Sequence, residues 1–181
     1  MKLRIIAIAA LCSIALMSCR PNHDSLVQRI TDEEQQLSMI DVAADDSKAE
    51  NLIGLYEKFV RYNAADTLSP IYLSRAADIA ANLGQTDRSI AILDRVINDY
   101  PDYSDLAGCY FMKGYAYDLN GQYDLAREAY AEFVEMFPDH YLASDTHKLL
   151  PFIGMSAEDM LNALLDSSSA EQLADMDLRY F

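Results

Sequence analysis

Two segments of nineteen residues in this chain follow the same sequence pattern, and their first residues are 37 positions apart. GQTDRSIAILDRVINDYPD begins at Gly84 and GQYDLAREAYAEFVEMFPD begins at Gly121. Between the shared ends, residues of comparable size recur at helical spacing, pairing Ser89 with Ala126, Leu93 with Tyr130, Val96 with Phe133 and Tyr100 with Phe137. A fixed period of this length predicts an array of helical repeats, each packing on its neighbours.

Each copy predicts a pair of helices separated by a glycine turn. The predicted helices are 70–83 and 87–100 in the first copy, and 106–119 and 124–137 in the second. Gly84 and Gly121 tolerate the left-handed backbone that ends many helices. Pro101 and Pro138 lack the amide hydrogen needed to continue the second helix. The two full repeats are therefore expected at residues 70–101 and 106–138.

The segments beside the two repeats carry weaker copies of the same pattern. Residues 47–64 form a half repeat that opens with the capping box S-K-A-E at Ser47. Residues 142–166 supply capping helices, the second of which starts at a similar box at Ser156. Two repeats alone bury their outer faces poorly, so these segments are expected to cover both ends. The helical domain is thus placed at 47–166, with an acidic tail at 167–181.

The first eighteen residues have the pattern of a signal peptide. A basic start, MKLR, precedes the apolar run Ile5–Met17, which is too short to span a bilayer. The sequence L-M-S-C that ends at Cys19 resembles the lipobox of bacterial lipoproteins, which implies cleavage before Cys19 and a lipid on that residue. The alternative is an ordinary secretory signal with a chance cysteine. Residues 19–46 are then a lipidated N-terminus and polar tether, in which Leu26, Val27 and Ile30 share one helical face and indicate a weakly defined helix. The sole remaining cysteine, Cys109, is expected in the core.

The repeated unit resembles the tetratricopeptide repeat. The residues that carry the resemblance in the second copy are Tyr110, Gly114, Tyr117, Gly121, Ala126, Tyr130, Phe133 and Pro138. Their counterparts in the first are Leu73, Ala77, Ala80, Gly84, Ser89, Leu93, Val96 and Pro101. The resemblance implies an all-α fold, an α-solenoid of antiparallel helix pairs with a 37-residue period. The longer period and the ending P-D-x-x-x-x-A resemble envelope lipoproteins of the BamD and CpoB types.

Composition and motifs argue against nucleic-acid binding and against catalysis. The net charge is −15, whereas a phosphate backbone requires clustered basic residues. No nucleophile motif, phosphate-binding glycine loop or HExxH sequence is present. His140 and His147 could be grouped with Asp139 and Asp145 as metal ligands, but surface histidines explain them more simply. We therefore expect no enzyme activity, no cofactor and no metal.

The resemblance also implies where a protein partner binds. In this family the concave side is lined by the first helix of each pair, and the matching positions are Ser74, Asp78, Asn82, Phe111, Tyr115 and Asp118. Because none of these is basic, a clamp for a carboxylate is not expected. The set suits a partner segment with apolar and basic groups. The alternative is that this face is only solvated and the partner binds elsewhere.

These features together predict an outer-membrane-anchored lipoprotein that faces the periplasm. It would act as a protein–protein interaction scaffold in cell-envelope assembly or maintenance. The alternative is an accessory lipoprotein that captures a small ligand or cell-wall fragment in a pocket lined by Tyr103, Tyr110 or Tyr115.

Overall fold

The computed structural model describes residues 21–38 and 46–166, and the regular structure within these ranges is helical throughout. The helices are α1 His23–Ser38, α2 Asp46–Tyr62, α3 Leu68–Asn82, α4 Thr86–Asp99, α5 Leu106–Leu119, α6 Tyr123–Met136 and α7 Ala143–Leu149, followed by a 3-10 turn, Leu150–Phe152, and by helical residues 157–166. The predicted all-α class and its helix pairs are confirmed. The chain divides into unit 1, up to Ser104, and unit 2, from Asp105 onward.

The glycine turns confirm the predicted ends of the first helices. Gly84 and Gly121 both have a φ of 70°. After α3, the Gly84 N–H donates to the Ala81 carbonyl at 2.9 Å and the Gln85 N–H donates to the Ala80 carbonyl at 2.8 Å. The same two bonds recur around Gly121. This pair of bonds is the Schellman motif, which satisfies carbonyls that a helix end leaves open, and it explains why both copies keep glycine at this place.

Unit 1 consists of α1 to α4, each helix packing on the next. Leu26, Ile30 and Leu37 of α1 are buried, because they fall on one face of the helix and pack toward α2. The packed fold therefore begins at α1, ahead of the predicted boundary at residue 47. Part of the predicted polar tether is therefore a helix of the core, because its few apolar side chains lie on one face and are buried.

Polar contacts also join the helices of unit 1. Glu34 of α1 accepts hydrogen bonds from the Tyr56 hydroxyl and from the Arg75 guanidinium, both at 2.6 Å. Glu50 of α2 accepts bonds from Gln85 and from Arg88, the latter at 2.8 Å. The last residue of the capping box predicted at Ser47 thus bonds to the turn before α4 and to α4 itself.

Unit 2 contains the helix pair α5 and α6, with α7 packed on α6. Its core is aromatic. The Phe133 side chain is fully buried, and its ring centroid lies 5.5 Å from that of Phe111, 6.3 Å from that of Phe137 and 5.3 Å from that of His140. Cys109 is buried as predicted. This unit is therefore held chiefly by ring packing.

Ser156 caps the start of the last helical stretch, as the first residue of the predicted box should. The Ser156 hydroxyl accepts the Asp159 N–H at 3.1 Å and donates to the Asp159 carboxylate at 2.7 Å. These bonds satisfy one orphan donor of the first turn, as an N-cap residue does.

Several predictions lie outside the described residues. They concern the signal peptide 1–18, Cys19, the tether residues 20 and 39–45, and the tail 167–181. Among the helices that the structure does describe, none has the length and apolar character needed to cross a membrane.

Candidate protein-binding surface

The predicted groove residues divide between the two units. Ser74, Asp78 and Asn82 lie on α3 in unit 1, where the Asn82 amide donates to the Asp78 carbonyl at 3.0 Å. Asp78 lines an open cavity of about 410 Å³ together with Arg75 and Tyr56. Ser74, Asp78 and Asn82 thus form a polar face on α3 of unit 1.

In unit 2 the groove residues border a more enclosed, apolar pocket. Phe111 and Asp118 of α5 line a cavity of about 350 Å³, whereas Tyr115 is exposed and is not part of its lining. The other lining residues come from α6, α7 and the segment that follows: Tyr123, Tyr130, Thr146, Leu149, Phe152, Ile153, Gly154, Met155 and Met160. Asp118 is the one charged residue of this lining.

The segment after α7 forms one wall of the pocket. After α7 ends at Leu149, the chain turns through the 3-10 residues Leu150–Phe152, which include Pro151. Gly154 then adopts a φ of 81°, and a Cβ on it would lie 2.6 Å from the Tyr123 ring. The Arg127 guanidinium donates to the Ile153 carbonyl at 2.9 Å. The backbone at Ile153 and Gly154 is thus fixed against α6 by one hydrogen bond and one close approach that only glycine permits.

Two polar groups set the electrostatics of the pocket. Burial raises the pKa of the Tyr130 phenol, and the neighbouring Asp118 carboxylate and Tyr115 hydroxyl raise it further. Tyr130 therefore remains a neutral phenol at physiological pH. The carboxylate of Asp118 has no hydrogen bond or ion pair with any described residue. The pocket consequently holds one negative charge that lacks a counterion from the described part of the chain.

Unit 2 also exposes far more apolar surface than unit 1. Within residues 21–38 and 46–166, all the large hydrophobic side chains that are exposed belong to unit 2: Tyr115, Leu119, Tyr123, Leu125, Met136, Tyr141, Leu149, Met155, Leu161, Leu164 and Leu165. Contiguous exposed apolar surface on a soluble domain commonly marks an interaction site.

The repeat register shows that the fold does not require this apolar surface. Five of the exposed residues lie within the second copy of the repeat, and the first copy has a polar or charged residue 37 positions earlier each time. The pairs are Asp78 with Tyr115, Asn82 with Leu119, Thr86 with Tyr123, Arg88 with Leu125 and Asp99 with Met136. Both copies form the same helix pair, so the pair itself does not require these apolar side chains, although Tyr123 also packs against Gly154.

Comparison with protein families identifies the two copies. Residues 107–140 match one family model and residues 73–103 match another, and both models describe the tetratricopeptide repeat. The chain carries two tetratricopeptide repeats. No curated protein and no solved structure matches the chain. Tetratricopeptide repeats are in general non-enzymatic scaffolds, and the two matches suggest a role in protein–protein interaction.

The close-packing positions of the tetratricopeptide repeats agree with the prediction. Ala77, Ser89 and Ala126 are fully buried. A Cβ on Gly114 would lie 2.6 Å from the Tyr130 ring, so this ring of α6 packs directly against α5 at Gly114. The remaining predicted positions are also located as expected: Tyr117 on α5, Phe133 in the core, and Pro101 and Pro138 just after α4 and α6.

The residues suggested for a small ligand or a metal lie apart from the pocket of unit 2. Tyr103 lines a cavity of about 570 Å³ in unit 1, while the Tyr110 ring packs 5.3 Å from the Phe137 ring. His140 packs on Phe133 and accepts the Leu142 N–H at 3.3 Å. Among the described residues, no three potential ligands converge as a metal site requires.

Sequence reasoning identified Phe111 and Asp118 but missed the opposite wall of the pocket. That wall comes from Leu149, the LPFIGM segment at 150–155, and Met160. The signal that was available is Gly154 in an otherwise apolar run. A glycine there indicates a turn that brings this run back against the preceding helix.

Proposed function

We propose that this chain is a lipid-anchored scaffold that faces the periplasm from the outer membrane. In this proposal it binds envelope proteins through unit 2 and takes part in cell-envelope assembly or maintenance. The observation that carries the proposal is the register comparison, in which exposed apolar residues of the second repeat replace polar residues of the first. Apolar surface that folding does not need is typical of a protein interface.

The anchoring part of the proposal is supported by the L-M-S-C sequence that ends at Cys19, after a signal-like apolar run. An anchor confines the scaffold to the membrane surface and raises the effective concentration of partners there. The test is membrane fractionation of cells that make the natural chain or a Cys19→Ala variant. The proposal expects the natural chain in the outer-membrane fraction and the variant in the soluble fraction. Equal membrane association of the two chains would remove the lipid anchor from the account.

The binding part is tested with a variant that gives the second repeat the polar residues of the first. This exchange variant carries Tyr115→Asp, Leu119→Asn and Leu125→Arg. The tagged natural chain, cross-linked in intact cells and purified, is expected to recover a reproducible set of envelope proteins, and the exchange variant is expected to lose them. A control with Ala91→Ser, an exposed position on α4, should retain them. Recovery by the exchange variant at the natural level would contradict binding through this surface.

The alternative, capture of a small ligand, has one observation in its favour. The cavity beside Tyr103 in unit 1 measures about 570 Å³, which is within the usual size of small-molecule sites. Purification from membranes separates the two functions. A stable complex with a second protein supports the scaffold, whereas a lone monomer that retains a small molecule supports capture.

A further inference from the structure

We propose that the pocket of unit 2 binds a segment of a partner protein in which an arginine or lysine stands beside a bulky apolar side chain. This inference rests on the proposed scaffold function and names the chemistry of the partner. It follows from one juxtaposition, namely the carboxylate of Asp118 within an apolar and aromatic lining that is open to solvent.

The unpaired carboxylate of Asp118 favours the binding of a cation. The Asp118 carboxylate has no ion pair with a described residue, and two of the three Lys and Arg side chains within residues 105–166 pair with other carboxylates. Arg127 pairs with Asp124, and Lys148 pairs with Asp145 at 3.2 Å. A basic group of a partner that enters the pocket would meet an unopposed carboxylate, and charge-assisted hydrogen bonds of this kind are the stronger ones.

The rings around Asp118 favour the same kind of group. Phe111, Tyr123 and Tyr130 line the pocket together with the carboxylate. An aromatic face attracts a cation, and the planar guanidinium of arginine stacks on rings particularly well. Burial raises the pKa of Tyr130 above its already high ordinary value, so the phenol is neutral and contributes its ring face alone.

The opposite wall favours an apolar side chain next to the cation. Leu149 is 55% exposed and Met155 is 44% exposed, and both line the pocket with Phe152 and Met160. Methionine side chains adapt their shape to different apolar partners. A cavity of about 350 Å³ lies at the small end of binding pockets, which suits a few side chains of a segment and not a whole domain.

The charge of the surroundings identifies a separate protein as the occupant. Residues 105–166 contain eleven acidic side chains and three of Lys or Arg, so a basic partner is attracted to this unit. The chain's own residues 167–181 contain three acidic side chains and one arginine. Arg179 in this stretch also stands beside Leu178 and Tyr180, but the net negative charge of the stretch makes it a poorer match than a basic partner.

The test uses the full chain with ¹³C-labelled methionine methyl groups, observed by NMR. The probe is the blocked pentapeptide glycine-leucine-arginine-phenylalanine-glycine, with matched peptides that carry glutamine or glutamate in place of arginine. Met155 and Met160 line the pocket and report on it, while Met112 and Met136 lie outside its lining and serve as references. The arginine peptide is expected to shift Met155 and Met160 in a saturable way, with the glutamate peptide about tenfold weaker.

An Asp118→Asn variant tests the role of the carboxylate. It is expected to lower the affinity for the arginine peptide about fivefold and to abolish the preference over the glutamine peptide. Asp139→Asn, an exposed residue outside the pocket, is the matched control and should change neither value. Unchanged thermal melting of both variants establishes that the fold is intact.

Three results would overturn the inference. The first is the absence of saturable shifts at Met155 and Met160, and the second is an arginine preference that survives in Asp118→Asn. The third is movement of the same two methyl groups when residues 177–181 are deleted and no peptide is added, because the chain's own end would then be the occupant. If the peptides fail while cross-linking in cells still recovers partners through unit 2, the scaffold function stands and only the partner chemistry is wrong.

Discussion

The two tetratricopeptide repeats share a core pattern and differ on their surfaces. The first has Asp78, Asn82 and Arg88 where the second has Tyr115, Leu119 and Leu125, and these apolar side chains are exposed. Both sequences form the same helix pair, so these positions can differ without changing the pair, although Arg88 of the first repeat also binds Glu50 of α2. Both repeats therefore form the helical fold, and the second repeat in addition exposes apolar surface that suits a partner.

The cores differ as well, at the point where the two helices of a pair cross. The first repeat has Ala77 and Leu93 there, and the second has Gly114 and Tyr130. All four residues are buried, and the Tyr130 ring occupies the space that a Cβ on Gly114 would need. A larger side chain on one helix is thus matched by a smaller one on the other, which keeps the packing dense.

Truncation of the central ring should have the largest effect on stability. Phe133→Ala is expected to lose about 3–5 kcal/mol, because it removes a fully buried ring that three other rings contact. The matched change in the first repeat, Val96→Ala, should lose about 2 kcal/mol, since fewer buried groups are deleted. Urea unfolding followed by circular dichroism measures both. Equal losses would mean that the Phe133 ring of the second repeat contributes no more to stability than the Val96 side chain of the first.

The crossing point of the second repeat should show strong coupling between two residues. Gly114→Ala is expected to lose about 1–2 kcal/mol, because the clash with the Tyr130 ring exceeds the gain in helix propensity. The double variant Gly114→Ala/Tyr130→Leu reproduces the pair of the first repeat and should recover part of that loss. A double-mutant cycle measures the coupling. Strict additivity would contradict the size compensation.

The first repeat contains a polar atom that the second avoids. The Ser89 hydroxyl is buried without a hydrogen-bond partner among the described residues, and its counterpart is Ala126. Ser89→Ala should therefore raise the free energy of unfolding by about 1 kcal/mol. The reverse change, Ala126→Ser, should lower it. A loss of stability in Ser89→Ala would show that the hydroxyl has a bond in solution.

A pH-dependent contact belongs to unit 1 alone. His23 bonds to the Asp24 carboxylate at 2.9 Å and to the Asp66 carboxylate at 3.0 Å, and these hydrogen bonds raise its pKa above the ordinary 6.5. A raised pKa means that the stabilisation is complete below pH 6.5 and is lost as the pH rises through the higher folded value. Because the side chain is largely exposed, the effect should be small. His23→Gln should remove this pH dependence, and an identical pH profile in both chains would contradict it.

The surface difference should have the smallest effect on stability. Leu125→Arg restores the residue of the first repeat at an exposed position and should change the free energy of unfolding by less than about 0.5 kcal/mol. Thermal melting measures this. A loss similar to that of Phe133→Ala would mean that Leu125 belongs to the core, and the comparison between the two surfaces would fail.

The repeat made most of the helix boundaries predictable from sequence. Gly84, Gly121, Pro101 and Pro138 punctuate the chain through backbone conformation, which depends on the residue itself. The predicted helix 106–119 agrees with α5, and the other repeat helices differ by at most two residues. The helix ends were therefore predictable from the sequence, because they depend on the local stereochemistry of single residues.

The contacts beyond the repeats were harder to predict. Residues 23–38 look polar, so their few buried side chains gave a weak signal, although they suffice to pack α1 on α2. The wall of the pocket at Ile153 depends on one bond from Arg127 and on Gly154 lying against the Tyr123 ring. Such contacts join residues that are about 25–30 positions apart, and no local pattern specifies which side chains will meet.

Site-specific photo-cross-linking in intact cells tests most directly the claim that the second repeat carries the binding surface. A photoreactive amino acid is placed at Leu119 or Leu125, and in separate chains at the matched positions Asn82 or Arg88 of the first repeat. The account predicts discrete adducts with a second protein from Leu119 and Leu125, and few or none from Asn82 and Arg88. Equal or stronger adducts from the first repeat would contradict it.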